Sequence, residues 1–221
     1  MSESEEIKKK VVDQLYWDNR VDSTDISVEV HNGIVKLHGK VPNYNAKGAA
    51  SADARTIKGV TAVENDIKVE FAPSTFVPSD SEIKSNIESL FRLNYTLDAK
   101  DLNISVTAGV ATLEGSVDAF WKRKRAEEIA SDANGVIDVI NKITIVPTKN
   151  FLDKDIAEDI IDAITRNLSV NVSNVDVAVE NGKVIFKGSV KDWNAYNAAM
   201  DAARYTAGVI DIDDNLVIES M

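Results

Sequence analysis

The chain has 221 residues, of which 44% are hydrophobic and 28% are charged, and its formal net charge is −11 at pH 7. This composition is typical of folded soluble proteins, and the acidic balance argues against nucleic-acid binding, which needs Lys and Arg clustered over a broad face. The absence of cysteine excludes disulfides, thiol catalysis and cysteine-ligated zinc.

The first predicted element is an amphipathic helix that occurs three times along the chain. Apolar residues recur at every fourth position at Ile7, Val11 and Leu15. The same spacing returns at Ile83, Ile87 and Phe91 and at Ile156, Ile160 and Ile164. This period is typical of a helix that buries one face.

Two alternating strands joined by a tight turn follow each helix. In the first copy the strands run through Ile26, Val28 and Val30 and then through Val35, Leu37, Gly39 and Val41. The segments between the strands read HNG, TAG and ENG, and Asn and Gly accept the positive φ of such turns. The glycine on the inward side of the second strand predicts that a helix packs closely over it.

An alanine-rich second helix and a third strand complete each unit. The helix is predicted at about residues 43–57, 119–133 and 192–206, ending at a glycine of positive φ. The third strand places Val63 and Ile67 inward. The predicted fold class is therefore α+β: three tandem αββαβ modules, each a three-stranded sheet with two helices packed on one face.

Glycines at a fixed spacing define the repeat and its boundaries. Each copy has three glycines separated by 6 and then 20 residues. They are Gly33, Gly39 and Gly59; Gly109, Gly115 and Gly135; and Gly182, Gly188 and Gly208. Extending the copies without gaps gives module 1 (7–70), module 2 (83–146) and module 3 (156–219), joined by linkers 71–82 and 147–155.

The repeated segments resemble the BON family, named for bacterial OsmY and nodulation proteins. The likeness lies in VHNGIVKLHGKV, VTAGVATLEGSV and VENGKVIFKGSV, each followed downstream by GVTAVENDIKV, GVIDVINKITI or GVIDIDDNLVI. The resemblance implies an αββαβ fold and a non-enzymatic, cofactor-free bacterial protein of osmotic or envelope stress that binds phospholipid. It also implies that some members act in the cytoplasm as potassium sensors.

No catalytic set or metal site is predicted. The two histidines, His31 and His38, lie in a turn and on the outward side of a strand, and the other two modules do not repeat them. A zinc site needs three or four converging ligands, so we interpret both histidines as surface residues. We therefore expect neither enzymatic activity nor a cofactor.

Two further positions are shared by all three modules. The polar residues Asn65, Asn141 and Asp214 lie on the apolar side of the third strand, where we expect a hydrogen bond to a neighbouring turn. Cation binding near residues 211–215 is the alternative. The aromatic position, five residues after the strand glycine, is interpreted either as local packing at the helix entry or as a contact with a membrane or a partner groove.

The candidate contact surface combines this aromatic position with a run of cations in module 2. The candidate residues are Phe120, Trp121, Lys122, Arg123, Lys124, Arg125, Tyr44 and Trp193. Module charges of +1, −1 and −6 favour modules 1 and 2 for an anionic phospholipid surface. The alternative interpretation of the cation run is an ordinary solvated helix face.

Three functions follow as hypotheses. The first is weak attachment to anionic phospholipid, the second a multivalent scaffold for a protein partner, and the third cytoplasmic potassium or cation sensing. The sequence as written shows neither a secretory leader nor an apolar run near 18 residues, so no transmembrane segment is expected. The predicted location is the cytoplasm, or the periplasm if a leader has been removed, and the oligomeric state stays open.

Overall fold

A computed structural model describes residues 2–166 and 174–219, which form six helices and nine strands. In module 1 these are α1 (Glu3–Trp17), β1 (Ile26–His31), β2 (Ile34–Val41), α2 (Tyr44–Thr56) and β3 (Ala62–Val69). In module 2 they are α3 (Asp80–Leu93), β4 (Leu102–Thr107), β5 (Val110–Val117), α4 (Phe120–Ser131) and β6 (Asp138–Ile145). In module 3 they are α5 (Asp153–Thr165), β7 (Val175–Glu180), β8 (Lys183–Val190), α6 (Trp193–Tyr205) and β9 (Asp211–Ile218). The predicted order of three αββαβ units is confirmed, and the first helix of each unit begins three or four residues before the module start predicted from the repeat.

Each module has one three-stranded sheet with its second strand in the centre. In module 1, β2 pairs antiparallel with β1 through a tight turn and parallel with β3, and α2 makes the crossover. Val35 faces Val30 on one side and Val63 on the other, which places three apolar side chains in one row. Modules 2 and 3 repeat this pairing.

Each module encloses its own hydrophobic core between the sheet and its two helices. The predicted apolar face of α1 is buried, together with Val35 and Leu37 of β2. Alanines of the second helix, such as Ala50, are fully buried because their small side chains let the helix lie close to the sheet. Equivalent residues form the cores of the other modules.

The glycine within the second strand is required by the backbone and not by a helix. Gly39 has φ +127°, and a Cβ there would lie 1.9 Å from the carbonyl oxygen of Asp25, just before β1. Gly115 and Gly188 have the same geometry against Asp101 and Asn174. These glycines are therefore required for a close approach, as predicted. The neighbour is a backbone carbonyl, however, so the expectation that a helix packs over them is wrong.

The second helix ends before the glycine that was predicted to stop it. α2 ends at Thr56, and the N–H of Ile57 caps it by bonding to the carbonyl of Ala54. Gly59 does have positive φ, at +93°, but a Cβ there would lie 2.8 Å from the side chain of Ile7. This glycine therefore lets the chain pass under α1 on its way to β3.

Candidate functional site

The shared aromatic position is the first residue of the second helix in every module. Tyr44 begins α2, Phe120 begins α4 and Trp193 begins α6, and all three are partly buried. Each of these side chains reaches a different module from the one that carries it. The three contacts differ in chemistry.

Trp193 joins module 3 to module 1. Its indole N–H donates to the carbonyl oxygen of Val60 at 2.9 Å. The guanidinium carbon of Arg55 lies 4.7 Å from the centre of the same indole ring, within the range of a cation–π contact. The indole thus satisfies a backbone carbonyl and stacks with a cation of a module more than 130 residues away in sequence.

Tyr44 lies at the contact between modules 1 and 2. Burial raises the pKa of its hydroxyl to about 12, aided by the nearby carboxylate of Asp138. Beside it, Asn45 Nδ2 donates to Asp132 Oδ1 at 2.8 Å, and the hydroxyl of Ser131 donates to Asn45 Oδ1 at 3.2 Å. This contact is polar and fully hydrogen-bonded at Asn45.

Phe120 joins module 2 to module 3. Its ring packs against the hydrophobic core of module 3 as a partly buried residue. The second helices α4 and α6 also touch directly. Because a phenyl ring has no polar atom, this contact depends on apolar burial alone.

The three contacts close a ring of modules. Tyr44 of module 1 contacts module 2, Phe120 of module 2 contacts module 3, and Trp193 of module 3 contacts module 1. Head-to-tail contacts of this kind close after three units when each is rotated by about 120° from the last. The aromatic position is therefore an inter-module contact, which differs from the predicted local staple; a contact with a membrane or a partner groove stays a prediction.

The cation run of α4 is engaged within module 2. Its three ion pairs are Lys122 with Asp118 at 2.7 Å, Lys124 with Glu127 at 2.8 Å, and Arg125 with Glu128 at 3.3 Å. Arg123 lies 6.0 Å from the Phe120 ring, and Lys122 lies 5.7 Å from the Trp121 ring. Each acid offsets the charge of its partner, so the run presents less net charge than its sequence indicates.

The eight predicted contact residues consequently do not share one surface. Phe120 to Arg125 follow one another at the start of α4, whereas Tyr44 and Trp193 lie at the other two contacts of the ring. Their role in binding a lipid surface or partner stays a prediction.

The shared polar position on the third strand ties that strand to the second helix. Asn65 Nδ2 donates to the carbonyl of Lys47 at 2.8 Å, and Asn141 Nδ2 donates to that of Arg123 at 2.9 Å. Asp214 has no N–H to give, and there the hydroxyl of Tyr196 donates to the carboxylate instead. The prediction of a structural hydrogen bond is confirmed, with the helix and not a turn as the partner.

A set of exposed apolar residues that was not predicted from the sequence lies at the ends of the first helices. Tyr16 and Trp17 at the end of α1 are 84% and 76% exposed, and Leu93 and Tyr95 at the end of α3 are 81% and 98% exposed. Their signal in the sequence is that they fall outside the four-residue apolar period of those helices. Modules 1 and 2 therefore both expose large apolar side chains at the end of the first helix.

A groove adjoins the exposed end of α3. It has a volume of about 620 Å³, with Phe91 and Leu97 in its lining and Arg92, Tyr95 and Lys100 around it. The side chain of Lys100 is 85% exposed and lies 3.4 Å from Asp98. The groove therefore combines apolar walls with cations that face solvent.

Within 2–166 and 174–219, no group of three or more His, Asp or Glu side chains converges as metal ligands would. His38 lies 3.7 Å from Asp66 across two strands, which makes an exposed pair. None of the helices in the same residues is both long enough and apolar enough to span a bilayer.

Comparison with known proteins gives three matches to one family along the chain. The model of the BON domain matches residues 3–70, 79–147 and 152–220. These ranges begin at or close to the starts of α1, α3 and α5. Each matched range therefore holds one complete αββαβ module.

Two curated proteins and a solved structure are among the proteins similar to the chain. It is 30% identical to osmotically-inducible protein Y of Escherichia coli over 140 residues, which are 62% of this chain and 70% of that protein. It is 32% identical to outer membrane lipoprotein DolP of Haemophilus influenzae over 114 residues, 50% of this chain and 57% of the lipoprotein. The C-terminal domain of CdsD, a structural protein of the type III secretion system of Chlamydia trachomatis, aligns over 96% of both chains at 14% identity, with a TM-score of only 0.27.

Proposed function

The chain belongs to the BON domain family, and from this premise we propose that it is a bacterial envelope-stress protein that attaches weakly to anionic phospholipid surfaces through the ends of α1 and α3. The observation that supports this most strongly is the exposure of Tyr16, Trp17, Leu93 and Tyr95 at equivalent ends of two modules. We propose a binding function and not a catalytic one.

Amphipathic aromatic residues suit the boundary between lipid headgroups and acyl chains. Tyr and Trp place an apolar ring in the boundary while their O–H or N–H stays hydrated. Fully burying one large aromatic side chain is worth about 1.5–3 kcal/mol, and each cation near anionic lipid adds about 1 kcal/mol. Two such helix ends therefore give reversible attachment.

The distribution of charge supports modules 1 and 2 as the lipid-facing part. Their net charges of +1 and −1 oppose an anionic surface little, whereas module 3 carries −6.

An envelope location belongs to the same proposal. It draws support from the names of the relatives, an osmotically inducible protein and an outer membrane lipoprotein. The earlier prediction of a cytoplasmic location finds no support in these relatives. A phospholipid surface within the envelope is where the proposed contact would operate.

Vesicle co-sedimentation tests the proposal. We expect the full chain to sediment with vesicles of phosphatidylglycerol and phosphatidylcholine but far less with phosphatidylcholine alone. Changing Tyr16 and Trp17 to Ala, or Leu93 and Tyr95 to Ala, should each weaken sedimentation roughly tenfold or more, from the lost apolar burial.

Two matched controls separate the candidate surfaces. Tyr205→Ala removes an aromatic that is 66% exposed at the end of α6 in acidic module 3, and binding should not change. Replacing the four cations 122–125 with Gln tests the surface predicted from sequence, and we expect a smaller loss because three of those cations are already paired. Equal sedimentation with both vesicle types, or loss only in the Gln variant, would refute the proposed surface.

A further inference from the structure

Module 1 buries two acidic side chains that face each other. Asp18, which caps the C-terminus of α1, is 6% exposed, and Asp53 of α2 is 4% exposed. Among the residues that the structure describes, these two are the charged residues that are buried. Burying two carboxyl groups together is unfavourable unless each is paired or neutral.

Asp18 is held in its ionised form by Arg20. The backbone N–H of Arg20 donates to Asp18 Oδ1 at 2.8 Å, and its guanidinium donates to both carboxylate oxygens at 2.5–3.0 Å. These hydrogen bonds lower the pKa of Asp18 to about 2. One member of the pair is therefore an anion already matched to a cation.

Asp53 has a donor for one of its oxygens only. Gln14 Nε2 of α1 donates to Oδ1 at 3.2 Å, whereas the buried Oδ2 has no hydrogen-bond partner among the described residues. Asp18 is close enough for its carboxylate charge to raise the pKa of Asp53. Two carboxylates cannot hydrogen-bond to each other, but a protonated carboxyl donates strongly to a carboxylate.

The environment of Asp53 favours its neutral form. Burial raises the pKa of Asp53, and the Asp18 carboxylate raises it further, while the hydrogen bond from Gln14 and the charge of Arg20 lower it. These groups come from α1 and from the loop that follows it, the two segments that α2 meets at this point. A proton on Oδ2 satisfies the unpaired atom and removes the repulsion at once.

The other modules show that the fold does not require this pair. By repeat alignment, Asp53 corresponds to the buried Ile129 in module 2 and to Ala202 in module 3. Gln14 likewise corresponds to Leu90 and Ala163. An apolar contact between first and second helix is thus replaced in module 1 alone by a polar, titratable one.

We propose that Asp18 and Asp53 share one proton, and that this proton latches α2 onto the C-terminal end of α1 so that module 1 alone loosens as the pH rises. Loss of the proton leaves Oδ2 of Asp53 buried without a donor and facing a carboxylate. The folded module binds more protons than the unfolded chain at pH values above the ordinary Asp range, so its stability falls as pH rises there. The inference does not depend on lipid binding.

Hydrogen exchange on the full chain tests the latch, with module 2 as the internal control. Protection factors are compared at about pH 5 and pH 8 for the segments around Gln14–Arg20 and α2, and for the equivalent segments of module 2. Because protection reports local opening, we expect module 1 to lose it roughly tenfold or more at the higher pH while module 2 does not. In parallel, carbon-13 NMR should show the Asp53 carboxyl titrating above the ordinary Asp range.

Two variants separate a shared proton from a merely structural role. Asp53→Asn keeps a donor toward Asp18 but cannot titrate, so protection should become independent of pH. Asp53→Ile copies module 2 and should also remove the pH dependence, which covers the case in which the Asn variant fails to fold. The proposal is overturned if protection in both modules changes alike with pH, or if Asp53 titrates as an ordinary Asp. It is also overturned if either variant keeps the pH dependence of protection, or if protection depends on exchanging potassium for sodium and not on pH.

Discussion

Replacing Trp193 with Ala tests how firmly the ring of modules is closed. The change removes the hydrogen bond to Val60, the stacking of Arg55 and the partly buried indole. These are worth about 0.5–1.5 kcal/mol, about 0.5–1 kcal/mol and about 1–2 kcal/mol respectively. A total of about 2–4.5 kcal/mol lowers the closed population relative to the open one by about 30- to 1,600-fold.

Spin labels across the contact between modules 1 and 3 measure the opening. Lys58 and Asn194 line the same cleft and are exposed, and the natural chain has no cysteine, so Cys at these two positions labels only the contact. We expect one narrow distance distribution in the parent and a broad, longer one in the Trp193→Ala variant. Trp17→Ala is the matched control, because that indole is exposed and outside the ring contacts. A narrow distribution that survives in Trp193→Ala would refute the closed ring.

Other predictions concern the module itself. Gly115→Ala should destabilise the chain by about 3 kcal/mol or more in urea unfolding, because the new Cβ meets backbone at positive φ. Gly48→Ala, in open space on α2, should stabilise it by about 0.5–1 kcal/mol. Asn141→Ala should cost about 1–3 kcal/mol in the same assay. The strand loses its hydrogen bond to the carbonyl of Arg123 in α4, and the N–H of Ile143 loses its acceptor. In acid titrations, the free energy of unfolding should fall as the pH drops from about 4 toward 2. The pKa of Asp18 is lowered in the folded chain, so protonating this carboxylate removes the stability that it contributes at higher pH. Asp18→Asn should abolish that part of the loss.

The modules were predictable because their signals are local. Periods of four and two residues mark helices and strands, and three copies at constant spacing leave little freedom in the order of elements. The role of Gly39 was harder to predict, because its position shows that something approaches closely but not whether it is helix or backbone. The end of α2 was predicted to within one residue, but the role of Gly59 was not, since Gly59 serves a contact with α1 two residues beyond the cap.

Contacts between modules could not be read from the sequence. The shared aromatic position was visible, but periodicity describes one module at a time and does not show that Trp193 meets Val60. The ion pairs in the cation run 122–125 were not predictable either. Their acidic partners lie within one helical turn, and the rotamers decide which pairs form. The acid pair was hidden as well, because Asp18 and Asp53 are 35 positions apart and each reads alone as a surface residue.

Tryptophan fluorescence with brominated lipid tests the proposed lipid surface most directly. The chain has three tryptophans, so changing Trp193 and one other to Phe leaves either Trp17 or Trp121 as the single reporter. With vesicles that contain brominated phosphatidylglycerol, Trp17 should shift to shorter wavelength and be quenched, while Trp121 should change little. Quenching of Trp121 without Trp17, or of neither, would contradict attachment through the end of α1.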